Sequence, residues 1–299
     1  MKVENRAYQI LQDFNKVSKF LTENYDKDLR NGYFLQPLFE YGENYGLFNY
    51  HCSHRNRIWE VDGEIVGIVF YEMMFLGRCF IVTKPEYQYL KEEMLAYAEE
   101  KIALTKNGKT SLGIWTTDAN TEDISLLKNS GYALTYKENI MEYDYTNGFE
   151  HPELPKGFRI VGGEDIDPLK LFWCTWKGFN NGDSLKEGIT EEQKFYQTEH
   201  LMSSPHYRKD LTTVIEAPDG EYACVAGMWL DGEHDYAYLE PLATIPKYRK
   251  MNLGTIALME GMKKTVKEGK KYCDGGSHPF YEAIGFEKKG ERQLWEKKW

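Results

Sequence analysis

The sequence contains no Cys-x-x-Cys pair. Its five cysteines, Cys52, Cys79, Cys174, Cys224 and Cys273, form an odd and scattered set, which argues against a disulfide framework and for buried thiols in a reducing compartment. Long apolar runs are missing too. The longest strongly apolar stretch, Ile65 to Tyr71, falls far short of the ~20 residues a membrane helix needs. The N-terminus shows no basic start followed by an apolar run of the signal-peptide kind. Basic charge is in deficit, with 37 Lys and Arg against 47 Asp and Glu and a formal net charge of −10. A duplex-binding surface needs cations to displace condensed counterions, so nucleic acid is not an expected partner. The expectation is a cytoplasmic protein with neither membrane nor nucleic-acid partners.

What the chain does have is material for two cores: 299 residues, 41% of them hydrophobic, at roughly 150 residues per domain. The segment 146–157, rich in Pro, Gly and polar residues, reads as a linker between domains 1–145 and 158–299. The two halves echo one another. VDGEIVGIVFY (Val61–Tyr71) parallels PDGEYACVAGMW (Pro218–Trp229), and FIVTKPEY (Phe80–Tyr87) parallels YLEPLATIPKY (Tyr238–Tyr248). NSGY at Asn129–Tyr132 parallels AIGF at Ala283–Phe286. Gly67 and Gly227 lie 160 apart, Pro85 and Pro246 161 apart, and Gly131 and Gly285 154 apart. Three matches in one order point to a duplicated unit.

Each half opens with a helix: Phe14, Val17, Phe20 and Leu21 recur at helical spacing, as do Leu169, Phe172, Trp173 and Trp176. A hairpin with Asp-Gly at its turn follows in each (Asp62-Gly63; Asp219-Gly220). Then comes a strand that feeds an amphipathic helix, Leu90–Ile102 or Leu253–Val266, with Leu258, Met262 and Val266 on one stripe. The fold class is α/β with a mixed sheet, one unit used twice.

The chemistry concentrates between Tyr238 and Phe286. A strand, YLEPLATIP, turns into a helix through KYRKMNLGT. A helix N-terminus offers N–H donors and a positive dipole end, which suits phosphate. Pro241 inside the strand marks a bulge or an unpaired edge, because proline cannot donate to a ladder. Glu240 beside it is a candidate general base. No cysteine has a paired histidine, so no covalent enzyme intermediate is expected. His51 and His54 lack a second ligand pair, so no metal is expected. Asp183, Glu187, Glu191, Glu192 and Glu199 read as a solvated acidic face in preference to a cation site, and Trp173, Trp176 and Phe179 as core more than substrate contacts.

IPKYRKMNLGT is similar to the acetyl-CoA pyrophosphate loop of the GNAT N-acetyltransferase superfamily, R/Q-x-x-G-x-G/A, with Arg249, Asn252 and Gly254 in the signature places. HPFYEAIGF resembles the late GNAT segment, with Tyr281 four residues before Gly285 and then Phe286. The likeness covers about the last 140 residues, and the first 145 only as a degenerate echo. It implies two tandem GNAT folds and acetyl transfer from acetyl-CoA to an amine of a small molecule or peptide, in a direct ternary complex and plausibly by a monomer. It places Leu242, Ala243, Thr244 and Ile245 along pantetheine. Arg249, Lys250, Met251, Asn252, Leu253, Gly254 and Thr255 fall around the pyrophosphate, and His278 at the pocket mouth. Tyr281 becomes the acid that protonates the departing thiolate, and the N–H of Leu242 or Ala243 the oxyanion donor. The alternative is a CoA-binding regulatory or scaffold pseudoenzyme. In the first copy Lys91, Glu93 and Leu127 stand in the places of Asn252, Gly254 and Tyr281, so that copy is expected not to bind CoA.

Overall fold

The computed structural model describes residues 2–45, 48–183, 200–277 and 279–299. The chain forms two compact units. The first comprises Met1–Glu43, Leu47–Ile140 and Lys289–Trp299, and the second Asn44–Gly46 and Met141–Lys288. The sequence-derived cut at 146–157 leaves the last eleven residues with the second half, whereas their contacts are with the first unit. Their strand pairing explains this, as follows.

In the first unit the sheet order is β1 (Glu4–Ala7), β2 (Arg57–Val61), β3 (Glu64–Phe70), β4 (Arg78–Thr83), β6 (Lys109–Thr117) and β13 (Glu287–Lys298), with β5 (Leu104–Lys106) also on β6. Arg292 to Lys298 of β13 pair antiparallel with Thr117 to Ser111 of β6. The β2–β3 turn holds Asp62 and Gly63 at φ 51° and 84°, the two positive values a type I′ hairpin requires. Strand β3 is buried at every position after Glu64, as an apolar run lying between two layers must be. One layer is α3 (Lys91–Lys101) and α4 (Thr121–Asn129), which bury Met94, Leu95, Ala98 and Leu127 against Val69, Ile81 and Ile114. On the other side stand α1 (Ile10–Glu23) and α2 (Gln36–Asn44) with an aromatic cluster. There Phe34 stacks on Phe80 at 4.3 Å and Tyr8 meets Phe70 edge-on at 4.7 Å, contacts that add to the area buried.

In the second unit the order is β8 (Arg159–Gly162), β9 (Thr213–Glu216), β10 (Tyr222–Trp229), β11 (Tyr236–Thr244) and β12 (Tyr272–Asp274), followed by the end of β7 (Ala133–Asp144), whose Glu142–Asp144 pair with β12. Helix α5 (Pro168–Gly178) starts as its sequence dictates. The Asp167 carboxylate accepts from the Leu169 and Lys170 N–H groups at 2.9 and 3.1 Å, and Pro168 takes the first helical position. It covers one face, burying Cys174 against Val225, Ala243 and Ile245. Helix α6 (Leu253–Val266) covers the other, burying Ile256, Leu258 and Met262 against Met228, Leu239 and Cys273, and α7 (Pro279–Ala283) is a single short turn. Val266, expected on the buried stripe of α6, is 45% exposed at the frayed end of the helix.

The repeat reappears as matching backbone bonds. Lys84 N–H donates to Val66 O and Ile245 N–H to Ala223 O; Tyr87 N–H donates to Lys84 O and Tyr248 N–H to Ile245 O. Tyr132 N–H donates to Leu127 O as Phe286 N–H does to Tyr281 O, so Leu127 and Tyr281 are equivalent positions. Among the described residues no helix is long and apolar enough to cross a membrane.

Candidate active site

The site grows from a strand that loses its neighbour. β11 runs parallel to β12, but only Tyr236–Tyr238 pair, with Tyr272–Asp274, while β11 continues to Thr244. The rest of its outer edge faces an open wedge. Ile245 N–H donates inward to Ala223 O, and Val225 pairs with Ala243 in the same register. Strand alternation therefore turns the N–H groups of Ala243 and Ile245 toward β10, and those of Leu242 and Thr244 toward the wedge.

A bulge precedes this edge. The β10–β11 register shifts between Ala226 and Met228, so Gly227 opposes two residues, Glu240 and Pro241. A Cβ at Gly227 would lie 2.6 Å from the Glu240 carbonyl oxygen, so the close approach requires glycine. The Trp229 indole N–H donates to that oxygen at 2.8 Å. The extra residue is Pro241, which has no N–H to orphan.

At the C-terminal end of β11 the turn Pro246–Tyr248 is followed by Arg249 in extended conformation, Lys250 at φ 63° and Asn252 at φ 60°. Asn is among the few residues that adopt this left-handed geometry readily. The α6 N-terminus that follows carries neither a side-chain cap nor an acidic residue in its first turn, so its N–H donors and dipole remain for an anion. Met251 and Thr255 are half-buried and Leu253 is buried beneath the turn. A Cβ at Gly254 would sit 3.4 Å from Phe280 Cζ and 3.7 Å from Thr244 Oγ1, ordinary contact for one methyl. Arg249 is exposed, but its guanidinium is tied to the protein: Nε donates to Thr244 O at 3.1 Å, and Nη2 to Gly178 O and Asn180 Oδ1 at 2.8 and 2.9 Å. Lys250 beside it is exposed as well.

Across the wedge stands Tyr281 on α7. Its ring meets Phe280 and Phe286 edge-on at 5.2 and 5.3 Å and lies against Gly276, where a Cβ would come within 2.5 Å of it. Burial pushes the Tyr281 phenol above its ordinary range, and the charge of Glu240 adds to the shift, so the hydroxyl keeps its proton at neutral pH. Burial likewise pushes the Cys224 thiol up to about 12 and those of Cys174 and Cys273 well above their usual range, which leaves none of the three as a thiolate. Sequence reasoning missed Trp229, Phe280 and the fully buried Asp274 at the vertex of the wedge. Only Asp274 had a signal, an acid followed by Gly275-Gly276 at a strand end.

His278, Glu187, Glu191, Glu192 and Glu199 lie outside the described residues. Asp183 is exposed, 3.7 Å from Lys177. On α5, Trp173 and Trp176 are half-buried. Phe172 stacks on Trp176 at 5.9 Å, and Phe179 is 47% exposed, so it is not core. Among the described residues no cluster of His, Cys, Asp or Glu could hold a metal ion.

The equivalent wedge of the first unit is filled. β4 and β6 pair in parallel over Arg78–Phe80 and Gly113–Trp115 and then diverge. Asn24 Nδ2 donates to Thr83 O at 3.2 Å and Thr117 Oγ1 to Leu29 O at 2.6 Å, with Asn24 and Leu29 8% and 2% exposed. Lys91, at the place of Asn252, forms a buried ion pair with Asp123 at 2.5 Å. Glu93, at the place of Gly254, accepts from the Trp59 indole at 2.9 Å. No loop intervenes, because the 3-10 turn Pro85–Leu90 runs straight into α3.

Comparison with known proteins bears on these features. Residues 172–286 match the sequence profile of the Acetyltransferase (GNAT) family. A GCN5-related N-acetyltransferase from Sphaerobacter thermophilus superposes with a TM-score of 0.64 at 14% identity, over 99% of this chain and 95% of that one. A tandem GNAT protein from the clavulanic acid biosynthesis pathway superposes at 0.65 and 11%, over 99% and 98%. An acetyltransferase of the GNAT family from Colwellia psychrerythraea does so at 0.57 and 14%, over 99% of each chain.

The fold is a tandem GNAT fold.

The matched residues run from α5 through β11, the phosphate-type loop and α6 to Phe286, so the GNAT match falls on the open wedge. It supports an N-acyltransferase that uses an acyl-CoA. The open strand edge suits the amides of a pantetheine arm, and the uncapped helix start suits its phosphates. No curated protein matches the sequence.

Proposed function

We propose that the second unit transfers an acetyl group from acetyl-CoA to an amine of a small molecule or peptide. This reading rests on the half-buried Glu240 at the β11 bulge together with Tyr281 on α7, whose phenol is pushed above its ordinary range by burial and by the charge of Glu240 and so keeps its proton. A scaffold that only bound CoA would need neither group. Acetyl-CoA supplies the thioester. Leu242 to Ile245 hold the pantetheine arm along the strand edge. The backbone from Arg249 to Thr255, with the Lys250 ammonium, receives the pyrophosphate. Glu240 takes the proton from the incoming ammonium, directly or through one water. The amine lone pair then forms the C–N bond, and the Leu242 N–H, on the wedge side of the strand, stabilises the oxyanion. As the C–S bond breaks, Tyr281 gives its proton to the thiolate and regains one from the attacking nitrogen, which sheds its second proton, while the proton on Glu240 passes to solvent. The two groups are coupled. Once Glu240 has taken a proton, the negative charge that helps raise the Tyr281 phenol is gone, and the phenol becomes the better acid when the thiolate leaves.

Coenzyme release from acetyl-CoA across a panel of primary amines, followed by thiol titration with mass detection of the acetylated amine, tests the proposal. Amine-dependent release with a stoichiometric acetyl product is expected. CoA binding without turnover on any amine would favour the scaffold alternative.

A further inference from the structure

The bulge in β11 changes what every residue after it presents. Leu239 and Leu242 both pack in the core beneath α6, although residues three apart on a regular strand face opposite sides. Glu240 and Pro241, set together against Gly227, supply the extra residue. The strand that follows is therefore shifted in phase by one, and that shift turns the N–H groups of Leu242 and Thr244 outward to the wedge. A strand without the bulge would turn both inward, to β10. The oxyanion donor exists because the bulge does.

One side chain holds the bulge. Val225, Gly227 and Trp229 share a face of β10, the face on which Val225 packs with Cys174 of α5. The Glu240 carbonyl oxygen is turned onto that face, 2.6 Å from where a Gly227 Cβ would stand. The indole of Trp229, two residues on, donates to it at 2.8 Å. Trp229 is 2% exposed and its ring meets Tyr207 at 5.6 Å, so packing fixes the donor. We propose that Trp229 is a positioning residue for the acyl transfer: through the Glu240 carbonyl it holds the phase of β11, and with it the places of the Glu240 carboxylate and the Leu242 N–H. The kinetic consequence rests on the proposed transfer, whereas the hold on the bulge does not.

The test removes the donor and keeps a ring. In the full chain carrying Trp229→Phe, kcat per bound acetyl-CoA should fall by roughly ten- to a hundredfold, as when reacting groups are displaced by about 1 Å or less. KM for the amine and acetyl-CoA affinity by calorimetry should stay near wild type. A role in folding alone would lower the thermal midpoint and the fraction of chains that bind acetyl-CoA, with kcat per bound acetyl-CoA unchanged. Benzothiophene in place of the indole at this position keeps the shape without the N–H, and gives the same comparison if the phenylalanine variant does not fold. A second readout needs no turnover. Glu240-Pro241 is the single Glu-Pro pair in the sequence, so isotope labels in the glutamate carbonyl carbon and the proline nitrogen select that carbonyl by NMR. Its resonance should shift in both variants. A wild-type protein without amine-dependent turnover would overturn the functional reading, and the carbonyl resonance would then decide the hold on the bulge. An unmoved resonance, or an unchanged kcat per bound acetyl-CoA, would overturn the proposal.

Discussion

The two copies keep one backbone frame and part company at the four places where a pantetheine ligand would touch it. β4 pairs with β3 in unbroken register from Phe80 to Thr83, whereas β11 bulges at Glu240 and Pro241. The first copy runs from turn to helix without interruption. The second inserts two left-handed residues, Lys250 and Asn252. The last carbonyl of the splayed strand accepts from Asn24 in one and from Arg249 in the other, and only the Arg249 tie leaves the wedge open. Leu127 holds the backbone position of Tyr281 without a proton to give. One duplicated frame thus carries a wedge occupied by its own chain in one copy and an unpaired strand edge in the other.

The sharpest break of this contrast is at the acid. Tyr281→Phe removes one hydroxyl, and its kcat should fall by roughly 10²–10⁴ in stopped assays of acetyl transfer. Acetyl-CoA affinity and the thermal midpoint should stay near wild type. An unchanged kcat would remove Tyr281 from the proposed mechanism.

The next is at the loop. Gly254→Glu introduces into the second copy the charge that Glu93 carries in the first, in a space that admits about one methyl before reaching Phe280. Acetyl-CoA affinity by calorimetry should drop by roughly a hundredfold or more, through like-charge contact and blocked approach, with the circular-dichroism spectrum retained.

The remaining expected effect is on stability alone and leaves the proposed chemistry untouched. Lys91→Met leaves the Asp123 carboxylate buried with the Thr116 hydroxyl and the Asn120 side-chain amide as its remaining hydrogen-bond partners. Breaking a buried pair in this way costs about 3–5 kcal/mol, to be read from the urea midpoint. Acetyl-CoA affinity should not change, because Lys91 lies outside the copy proposed to bind it.

Much of the second copy was legible in the sequence because its signals are local. A proline inside a strand can only mark a bulge or an edge, and the register shifts at Pro241. Asn252 and Gly254 marked the turn where a helix begins, and Asn252 is left-handed. The spacing of Gly131 and Gly285 made Leu127 equivalent to Tyr281, and the same hydrogen bond occurs at each. What could not be read is non-local. Asn24 and Leu29 fill a wedge whose strands begin some fifty residues later or more, and nothing in their own neighbourhood announces it. The charge of Arg249 was expected at the phosphates, yet its guanidinium ties Thr244 to the end of α5, a contact that sequence spacing cannot show. The pairing of β13 with β6 likewise joins strands about 180 residues apart.

Titration of the intact chain with acetyl-CoA by calorimetry tests the contrast most directly. One site per chain, lost in Gly254→Glu and kept in Lys91→Met, is the expected result. Two equivalent sites per chain, or a single site that survives Gly254→Glu, would contradict the account.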